Sequence, residues 1–332
     1  MCRLATCGVS LLIVPLLAAC GGGREALTIY SGRDEALVGP LLERFAEEKD
    51  VDIDVRYGDS AELALLIEEE GEASPADVYF SQSPGAVEYL AAADRLAPLE
   101  QAILDKVPED FRGSGEDWVG VTARERVIVY NEELVAPEDL PDSVLDLPET
   151  GFADQVGLAP ANGSFQDFVT AMRQTEGEDV AREWLEGMAS AGAPTFPDNN
   201  SIVDAVSRGE IPMGLVNHYY NFRFLEDDPS LPSRNGSFAP GDIGNLLIAS
   251  PIAILRSTDQ ESDAQALISF LLNDESMAFF AEETFEYPLV EGVEPSSQLE
   301  PLDQLPSPQF NIQDLGGGLQ GTVEMIEQSG LL

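Results

Sequence analysis

Short apolar runs alternate with amphipathic stretches along most of this chain, and that alternation predicts its fold class. Three early runs read as strands, over 26–30, 51–55 and 76–80. Each is followed by a stretch with apolar residues at helical spacing, such as Leu37, Leu41 and Phe45 after the first. Strands that alternate with helices predict crossover connections and an α/β sheet.

Polar residues mark where the predicted helices begin. Ser60 is expected to cap the second helix, and Ser83 followed by Pro84 is expected to open the third. Later in the chain, Asn162 and Asn199 stand in front of two further amphipathic stretches. The sequence thus gives starting points for at least four helices.

The alternation restarts near Arg126, which predicts a second α/β domain. The later strands are expected over 127–130, 156–159 and 212–216. An apolar run over 246–255, broken at Ser250-Pro251, is expected to return the chain to the first sheet, and helices follow over 262–273 and 275–283. We therefore predict two lobes joined by a strand hinge. Their predicted ranges are 26–126 with 249–298, and 127–248 with 299–332.

The chain's single histidine stands in Asn217-His218-Tyr219-Tyr220, where a predicted strand passes into a predicted helix. Adjacent side chains of a strand point to opposite faces, but at such a corner both phenols can turn towards one point. Two phenolate oxygens form a hard anionic donor set that suits a trivalent cation such as ferric iron. The alternative is that one ring belongs to the core and the other is a half-exposed cap.

Residues 1–19 have the layout of a bacterial secretion signal. Arg3 is their only charge, and an apolar run leads into Leu17-Ala18-Ala19-Cys20. This ending resembles a lipobox, in which the cysteine is lipidated and becomes the new N-terminus. Residues 20–25 would then form a lipidated tether, and the protein would be extracytoplasmic and anchored to the membrane by lipid only.

Cysteine chemistry is confined to that segment. Cys2 and Cys7 would leave with the signal, and Cys20 would be the only cysteine of the mature chain. Disulfides and thiolate metal sites are therefore excluded for the mature chain.

Charge narrows the set of partners. The chain has 61 acidic and 17 basic residues, a net charge of −44, and lysine only at positions 49 and 106. The acidic excess is spread along a chain that is 44% hydrophobic, so disorder is not expected. Such a surface is of the halophilic type, since high salt screens its self-repulsion. It also makes nucleic acid a poor partner.

No catalytic motif stands out in this sequence. A single histidine excludes zinc sites built from several histidines, and P-loop, nucleophile-elbow and dinucleotide signatures are absent. The sequence therefore predicts a protein that is not an enzyme. A surface lipoprotein hydrolase is the alternative from another functional class.

Taken in chain order, six segments resemble landmarks of the ferric-ion-binding proteins of bacterial iron-uptake ABC transporters. They are Ile29-Tyr30-Ser31-Gly32, Ser74-Pro75-Ala76-Asp77-Val78, Arg124-Glu125-Arg126-Val127-Ile128-Val129-Tyr130, Asn162-Gly163-Ser164-Phe165, Asn217-His218-Tyr219-Tyr220 and Glu286-Tyr287-Pro288-Leu289. The resemblance covers the whole chain after the signal. It implies a bilobed type II periplasmic-binding-protein fold, and a monomer that delivers iron(III) to an ABC permease and its ATPase.

The resemblance also implies a ligand set. Tyr219 and Tyr220 match the family's paired phenolate ligands. The positions of the family's histidine and glutamate ligands are held here by Asp34, with Glu35 beside it, and by Gln82. A carboxylate could still bind iron, whereas a neutral amide is a weak ligand for a trivalent ion. The alternative for the two acids is that they complement a helix dipole.

Few protein ligands imply that an anion, phosphate or carbonate, completes the site in synergy with the metal. Backbone N–H groups at a strand-to-helix corner bind anions well. Arg124 and Arg33 are further candidates near the anion, and the alternative for the asparagines at 162 and 199 is helix capping. The residues that match the family's anion site are Asn162, Gly163, Ser164, Asn199, Asn217 and Arg126.

A protein of the same fold that binds another solute is the main alternative. That solute could be an oxyanion, a polyamine or a thiamine-like molecule. Colour separates the two possibilities, because a complex of tyrosinate with iron(III) absorbs visible light.

Overall fold

The computed structural model describes residues 25–149 and 151–332, so the predicted signal and Cys20 lie outside the described residues. Strands and helices alternate through the described chain. The strands are β1 (Leu27–Ser31), β2 (Ile53–Tyr57), β3 (Val78–Phe80), β4 (Trp118–Asn131), β5 (Val156–Gly157), β6 (Met213–Asn217), β7 (Ser233–Gly236), β8 (Leu247–Ile254) and β9 (Tyr287–Pro288).

The helices cover both faces of these strands. They are α1 (Glu35–Lys49), α2 (Ser60–Glu70), α3 (Pro84–Ala92), α4 (Gln101–Leu104), α5 (Gly163–Thr175), α6 (Glu178–Ala191), α7 (Asn199–Ser207), α8 (His218–Asp227), α9 (Glu261–Leu271), α10 (Asp274–Glu282) and α11 (Leu319–Ser329). None of the described helices is long and apolar enough to span a bilayer.

The sheet is mixed, and its strand order is β2-β1-β3-β8-β4-β6-β5. β1 lies parallel to β2 and β3, whereas β8 runs antiparallel to β3 and β4. β4 is antiparallel to β6, and β5 is parallel to β6. β7 and β9 pair with β4 beside this path. The α/β class predicted from the alternation of apolar runs is confirmed.

The long strand β4 joins the two halves of the sheet. Its first part, Trp118–Glu125, pairs with β8, and its last part, Arg126–Tyr130, pairs with β6. All 14 of its residues are buried, so both faces are covered by other elements. Because side chains alternate along a strand, Arg124 and Arg126 lie on one face of β4 and Glu125 on the other.

The strand predicted over 127–130 is present, but it is only the last part of β4, which begins at Trp118. The polar residues from Thr122 to Arg126 interrupt the apolar pattern, although they lie in the middle of the strand. The predicted return strand is present as β8, which continues through Ser250-Pro251 although the apolar run is interrupted there. A shift in register near Gly120, opposite Pro251, accommodates the proline, which has no N–H to donate.

Several helix starts also differ from the predictions. Ser60 is the first residue of α2 instead of its cap, which is Asp59. The Ser60 hydroxyl instead accepts a hydrogen bond from the backbone N–H of Gln82 at 2.9 Å. α7 begins at Asn199, but its cap is Asp198, whose carboxylate accepts from Ser201. The caps predicted at Ser83 and Asn162 are confirmed by hydrogen bonds to Ala86 and Ser164.

Candidate functional site

The two tyrosines lie at the corner between β6 and α8. β6 ends at Asn217 and α8 begins at His218, so the backbone turns at this point. Tyr219 and Tyr220 are 0% and 2% exposed, and their ring centroids are 4.2 Å apart. Neither ring is a half-exposed cap. Both hydroxyl oxygens lie 3.4 Å from Nε2 of Gln82, so the two phenols converge on one amide.

Burial makes these phenols reluctant to ionise on their own. It raises the pKa of Tyr219 well above the ordinary value, and the charge of Tyr220 raises it further, while Arg33 opposes both effects. Burial likewise raises the pKa of Tyr220, and the charge of Asp34 adds to that effect. Both oxygens therefore keep their protons at neutral pH until a cation displaces them.

Two buried guanidinium groups flank the phenols, and neither forms an ion pair with a carboxylate of the described residues, although the charge of Asp167 acts on both. Arg124 donates to the hydroxyls of Ser164 (Nη2, 2.9 Å) and Ser250 (Nη1, 2.8 Å), and to the carbonyl oxygen of Gln82. Arg126 donates to Oδ1 of Asn217 at 3.3 Å, and its Nη2 has no partner. Burial, followed by repulsion from Arg124, lowers the pKa of Arg126 to about 9. These positive charges leave the pocket suited to an anion.

The corner at the start of α5 contributes the Ser164 hydroxyl, which contacts Arg124 directly and is linked to Arg126 only through Asn217. The Ser164 hydroxyl accepts from Arg124 and from Nδ2 of Asn217, at 3.2 Å for the latter. Asn162 caps the helix through Oδ1, which accepts from the Ser164 N–H at 3.1 Å. A Cβ on Gly163 would come within 3.1 Å of the Ser83 Cβ, so a larger residue would require the Ser83 side chain to shift by a few tenths of an ångström.

Asn199 is a buried side chain with an unmet hydrogen-bonding capacity. It begins α7 without capping it, so the capping alternative was wrong for this residue. Neither its Oδ1 nor its Nδ2 has a hydrogen-bond partner. Since buried amides are nearly always bonded, this side chain is suited to a bound group.

The remaining metal candidates differ in their placement. Gln82 contacts the phenols directly. Asp34 is exposed at the start of α1, where its Oδ2 accepts from Nδ2 of Asn200 at 3.4 Å, and it makes no capping bond. Glu35 is exposed and lines a different cavity with Gly39 and Tyr57. Within the described chain no three His, Cys, Asp or Glu residues cluster as an ordinary metal site would require.

Sequence reasoning offered Arg33 as a candidate near the anion, but it did not anticipate the pairings that the structure shows for Arg33, Glu286 and His218. Nη2 of Arg33 donates to Oε2 of Glu286 at 2.6 Å in a fully buried ion pair, and Thr122 donates to Oε1 of the same glutamate. Both ring nitrogens of His218 are occupied, by the N–H of Glu125 and by the carbonyl of Phe285. These pairings join residues too distant in sequence for local patterns to connect them.

Comparison with known proteins identifies the family. The sequence profile of the bacterial extracellular solute-binding proteins matches residues 73–309. The chain belongs to this family. Its members bind small solutes and are not enzymes, which confirms the prediction that this protein is not an enzyme.

Several proteins whose sequences are similar to this chain have names that refer to iron. The major ferric iron-binding protein of Neisseria meningitidis is 29% identical, over 96% of this chain and 97% of its own length. An Fe(3+)-binding periplasmic protein of Serratia marcescens is 28% identical over 99% of each chain. The crystal structure of iron-bound HitA from Pseudomonas aeruginosa superposes with a TM-score of 0.87 at 31% identity, and covers 92% of this chain and 99% of its own.

Proposed function

We propose that this protein binds iron(III) outside the cytoplasm and delivers it to an ABC importer. The observation that carries the proposal is the convergence of two buried phenol hydroxyls on one point, beside guanidinium groups that lack a carboxylate partner. The iron-related names of its relatives, and the iron-bound neighbour at 31% identity, support the same ligand.

In this proposal Tyr219 and Tyr220 bind the metal as phenolates. Iron(III) supplies the positive charge that ionises two phenols whose pKa values burial has raised. Gln82 donates to both oxygens, and the metal would replace these two contacts. The charge of Asp34 raises the pKa of Tyr220, so Asp34 is the stronger candidate for a carboxylate ligand. Glu35 is the weaker candidate, because it lines a different cavity.

A synergistic anion balances the charge of the occupied site. Iron(III) with two phenolates retains one positive charge, and Arg124 and Arg126 add two more, which the nearby carboxyl of Asp167 offsets only in part. Phosphate or carbonate can offset this excess while it fills open positions on the metal. Its donors would be the N–H groups of the Asn162-Gly163-Ser164 corner together with Asn199, Asn217 and Arg126, of which Asn199 and Arg126 have unpartnered atoms.

The two predicted lobes, 26–126 with 249–298 and 127–248 with 299–332, would close over this site. Contacts that cross between them include Gln82 with both tyrosines, and Asp34 with Asn200. Because groups from both lobes meet at the ligand, binding would favour the closed state.

Delivery requires the protein to stay near its permease and ATPase. Lipidation of Cys20 would hold a monomer at the membrane by a tether of a few residues, and its acidic surface would suit a saline habitat. Replacing Cys20 by serine should move the expressed protein from the detergent phase to the aqueous phase. Unchanged partitioning would contradict the lipid anchor.

The central test is a titration of the purified mature protein with iron(III) citrate. We expect a broad visible charge-transfer band that saturates at one iron per chain. Tyr219→Phe and Tyr220→Phe should each abolish tight binding, because each removes one phenolate. Tyr130→Phe is a matched control, since Tyr130 is a buried tyrosine of β4 outside the cluster.

Retention of affinity within about threefold in both variants, roughly 0.7 kcal/mol, would place the site elsewhere. The paired guanidiniums favour one alternative solute, an oxyanion bound without iron. In that case phosphate would bind the two phenylalanine variants and the parent equally well, and no visible band would form.

A further inference from the structure

A second cavity lies behind the tyrosine corner, on the face of β4 opposite to the arginines. It has a volume of about 210 Å³, and we refer to it as the rear cavity. The polar residues of its wall are Glu125, His218, Asn235, Ser237, Tyr287, Gln298 and Glu300. It is located where β4 leaves β8 and begins to pair with β6, between Glu125 and Arg126.

Glu125 is the unusual residue of this wall. Its side chain is 5% exposed, and its Oε1 has no hydrogen-bond partner. A buried carboxylate oxygen without a donor is costly and uncommon. No lysine or arginine lines the cavity to neutralise it within the described residues.

Other oxygen atoms of the wall are also available. Nδ2 of Asn235 donates to the carbonyl oxygen of His218 at 2.9 Å. Oδ1 of Asn235 accepts no hydrogen bond from the described residues. Glu300 is exposed, and its charge acts on both Glu125 and Tyr287, so it lies close to both. Glu125, Glu300 and Asn235 therefore offer two carboxylates and one amide oxygen.

The imidazole of His218 does not belong to this donor set. Nδ1 accepts from the Glu125 N–H at 3.1 Å, and Nε2 lies 2.8 Å from the carbonyl oxygen of Phe285. Burial lowers its pKa to about 4, so the ring is neutral and adds no positive charge. The oxygen atoms of Glu125, Glu300 and Asn235 are the ligand type that hard cations prefer.

We propose that the rear cavity binds one hard divalent cation of the Ca²⁺ type. Glu125, Glu300 and Oδ1 of Asn235 bind the ion, and water fills its remaining positions. Two carboxylates match the charge of a divalent ion. A water molecule occupies roughly 30 Å³, so a cavity of about 210 Å³ has room for an ion with several waters.

The cation competes with a proton on Glu125. Burial, followed by the charge of Glu300, raises the pKa of Glu125 to about 8. The other titratable groups of the wall are Tyr287, whose pKa is raised by burial and by both glutamates, and the neutral His218. Binding of the cation therefore strengthens as the pH rises through about 8 and releases a proton below that pH.

Equilibrium dialysis with radioactive CaCl₂ tests this site in the metal-free protein. About 1 M KCl suppresses diffuse binding to the acidic surface. At alkaline pH we expect one saturable Ca²⁺ per chain, and Glu125→Gln should weaken it at least about tenfold. Glu47→Gln is the matched control, because Glu47 is an exposed acid of α1 and the charge change is the same. The variant with both Tyr219 and Tyr220 changed to phenylalanine should bind Ca²⁺ unchanged, which separates this site from the proposed iron site.

Absence of saturable binding in the parent protein would overturn the proposal. Glu125→Gln that binds as tightly as Glu47→Gln would overturn it as well. If Glu125→Gln fails to fold, Glu300→Gln decides the matter, because Glu300 is exposed and its replacement leaves the core intact. Weaker Ca²⁺ binding in Glu300→Gln, with unchanged thermal stability of the metal-free protein, supports the site.

Discussion

Asp167 gives the sharpest stability prediction, because it is a carboxyl group buried between two helices. It belongs to α5 and is 1% exposed. Its Oδ1 accepts from the Ser83 hydroxyl at 2.7 Å and from the Gly85 N–H at 3.2 Å, at the start of α3. Its Oδ2 has no partner. Burial raises the pKa of Asp167 to about 7, although these bonds and nearby arginines oppose the shift.

The size and sign of the effect follow from this pKa. A rise from 3.8 to about 7 spans roughly three pKa units. At about 1.36 kcal/mol per unit, this amounts to about 4 kcal/mol at most. The folded protein binds the proton of Asp167 more tightly than the unfolded chain does. Protonation of Asp167 therefore stabilises the folded protein, and this contribution is complete below pH 3.8. That contribution is lost as the pH rises to about 7, and it stays lost above this value.

The substitution Asp167→Asn imitates the protonated carboxyl. The amide oxygen can still accept from Ser83 and Gly85, and the amide cannot ionise. The free energy of unfolding of the variant, minus that of the parent, should therefore increase by a few kcal/mol between about pH 4.5 and pH 7.5. Urea titrations of the metal-free proteins, followed by circular dichroism, measure this difference at each pH.

Asp52→Asn serves as the control, because Asp52 is exposed and precedes β2. Its difference from the parent should vary little over the same pH range. The reasoning is refuted if Asp167→Asn behaves like the control, or if its advantage over the parent shrinks as the pH rises.

Three further predictions concern the core and the proposed iron site. Glu286→Gln leaves the buried guanidinium of Arg33 without its carboxylate partner. The variant should lose about 3–5 kcal/mol of the free energy of unfolding, measured in urea titrations. A loss below about 1 kcal/mol would show that this ion pair does not stabilise the core. Gly214→Ala places a Cβ 2.2 Å from Cγ2 of Ile202, and should cost about 1–3 kcal/mol in the same assay; a fully stable variant would show that β6 and α7 can move apart freely. Iron should dissociate in mild acid as the two phenolates regain protons, and it should dissociate at a higher pH after phosphate and carbonate are removed. If pH titrations of the visible band with and without these anions superimpose, there is no synergistic anion.

Local patterns predicted the parts of this fold that depend on neighbouring residues. The strand before Asn217 and the helix after it follow from an apolar run and a change in spacing, and both are present. The first three strands and the helices after β8 were predicted for the same reason. These elements place the two tyrosines at a corner.

Long-range pairings could not be predicted in this way. Arg33 and Glu286 are 253 residues apart, and Asp167 meets Ser83 across 84 residues. The middle of β4 was missed because Thr122, Arg124 and Arg126 are polar, and only their long-range hydrogen-bond partners explain why they are buried. Glu125 carries no local signal at all, since one more acid in so acidic a chain is uninformative.

The buried imidazole of His218 has a consequence for measurements of proton exchange. In most proteins histidines exchange protons near neutral pH and obscure the protons released by a bound metal. This chain has one histidine, and its environment holds it neutral down to a pKa of about 4. Calorimetry of iron binding in two buffers of different ionisation enthalpy, at about pH 6, would therefore count the protons that iron displaces without a histidine background.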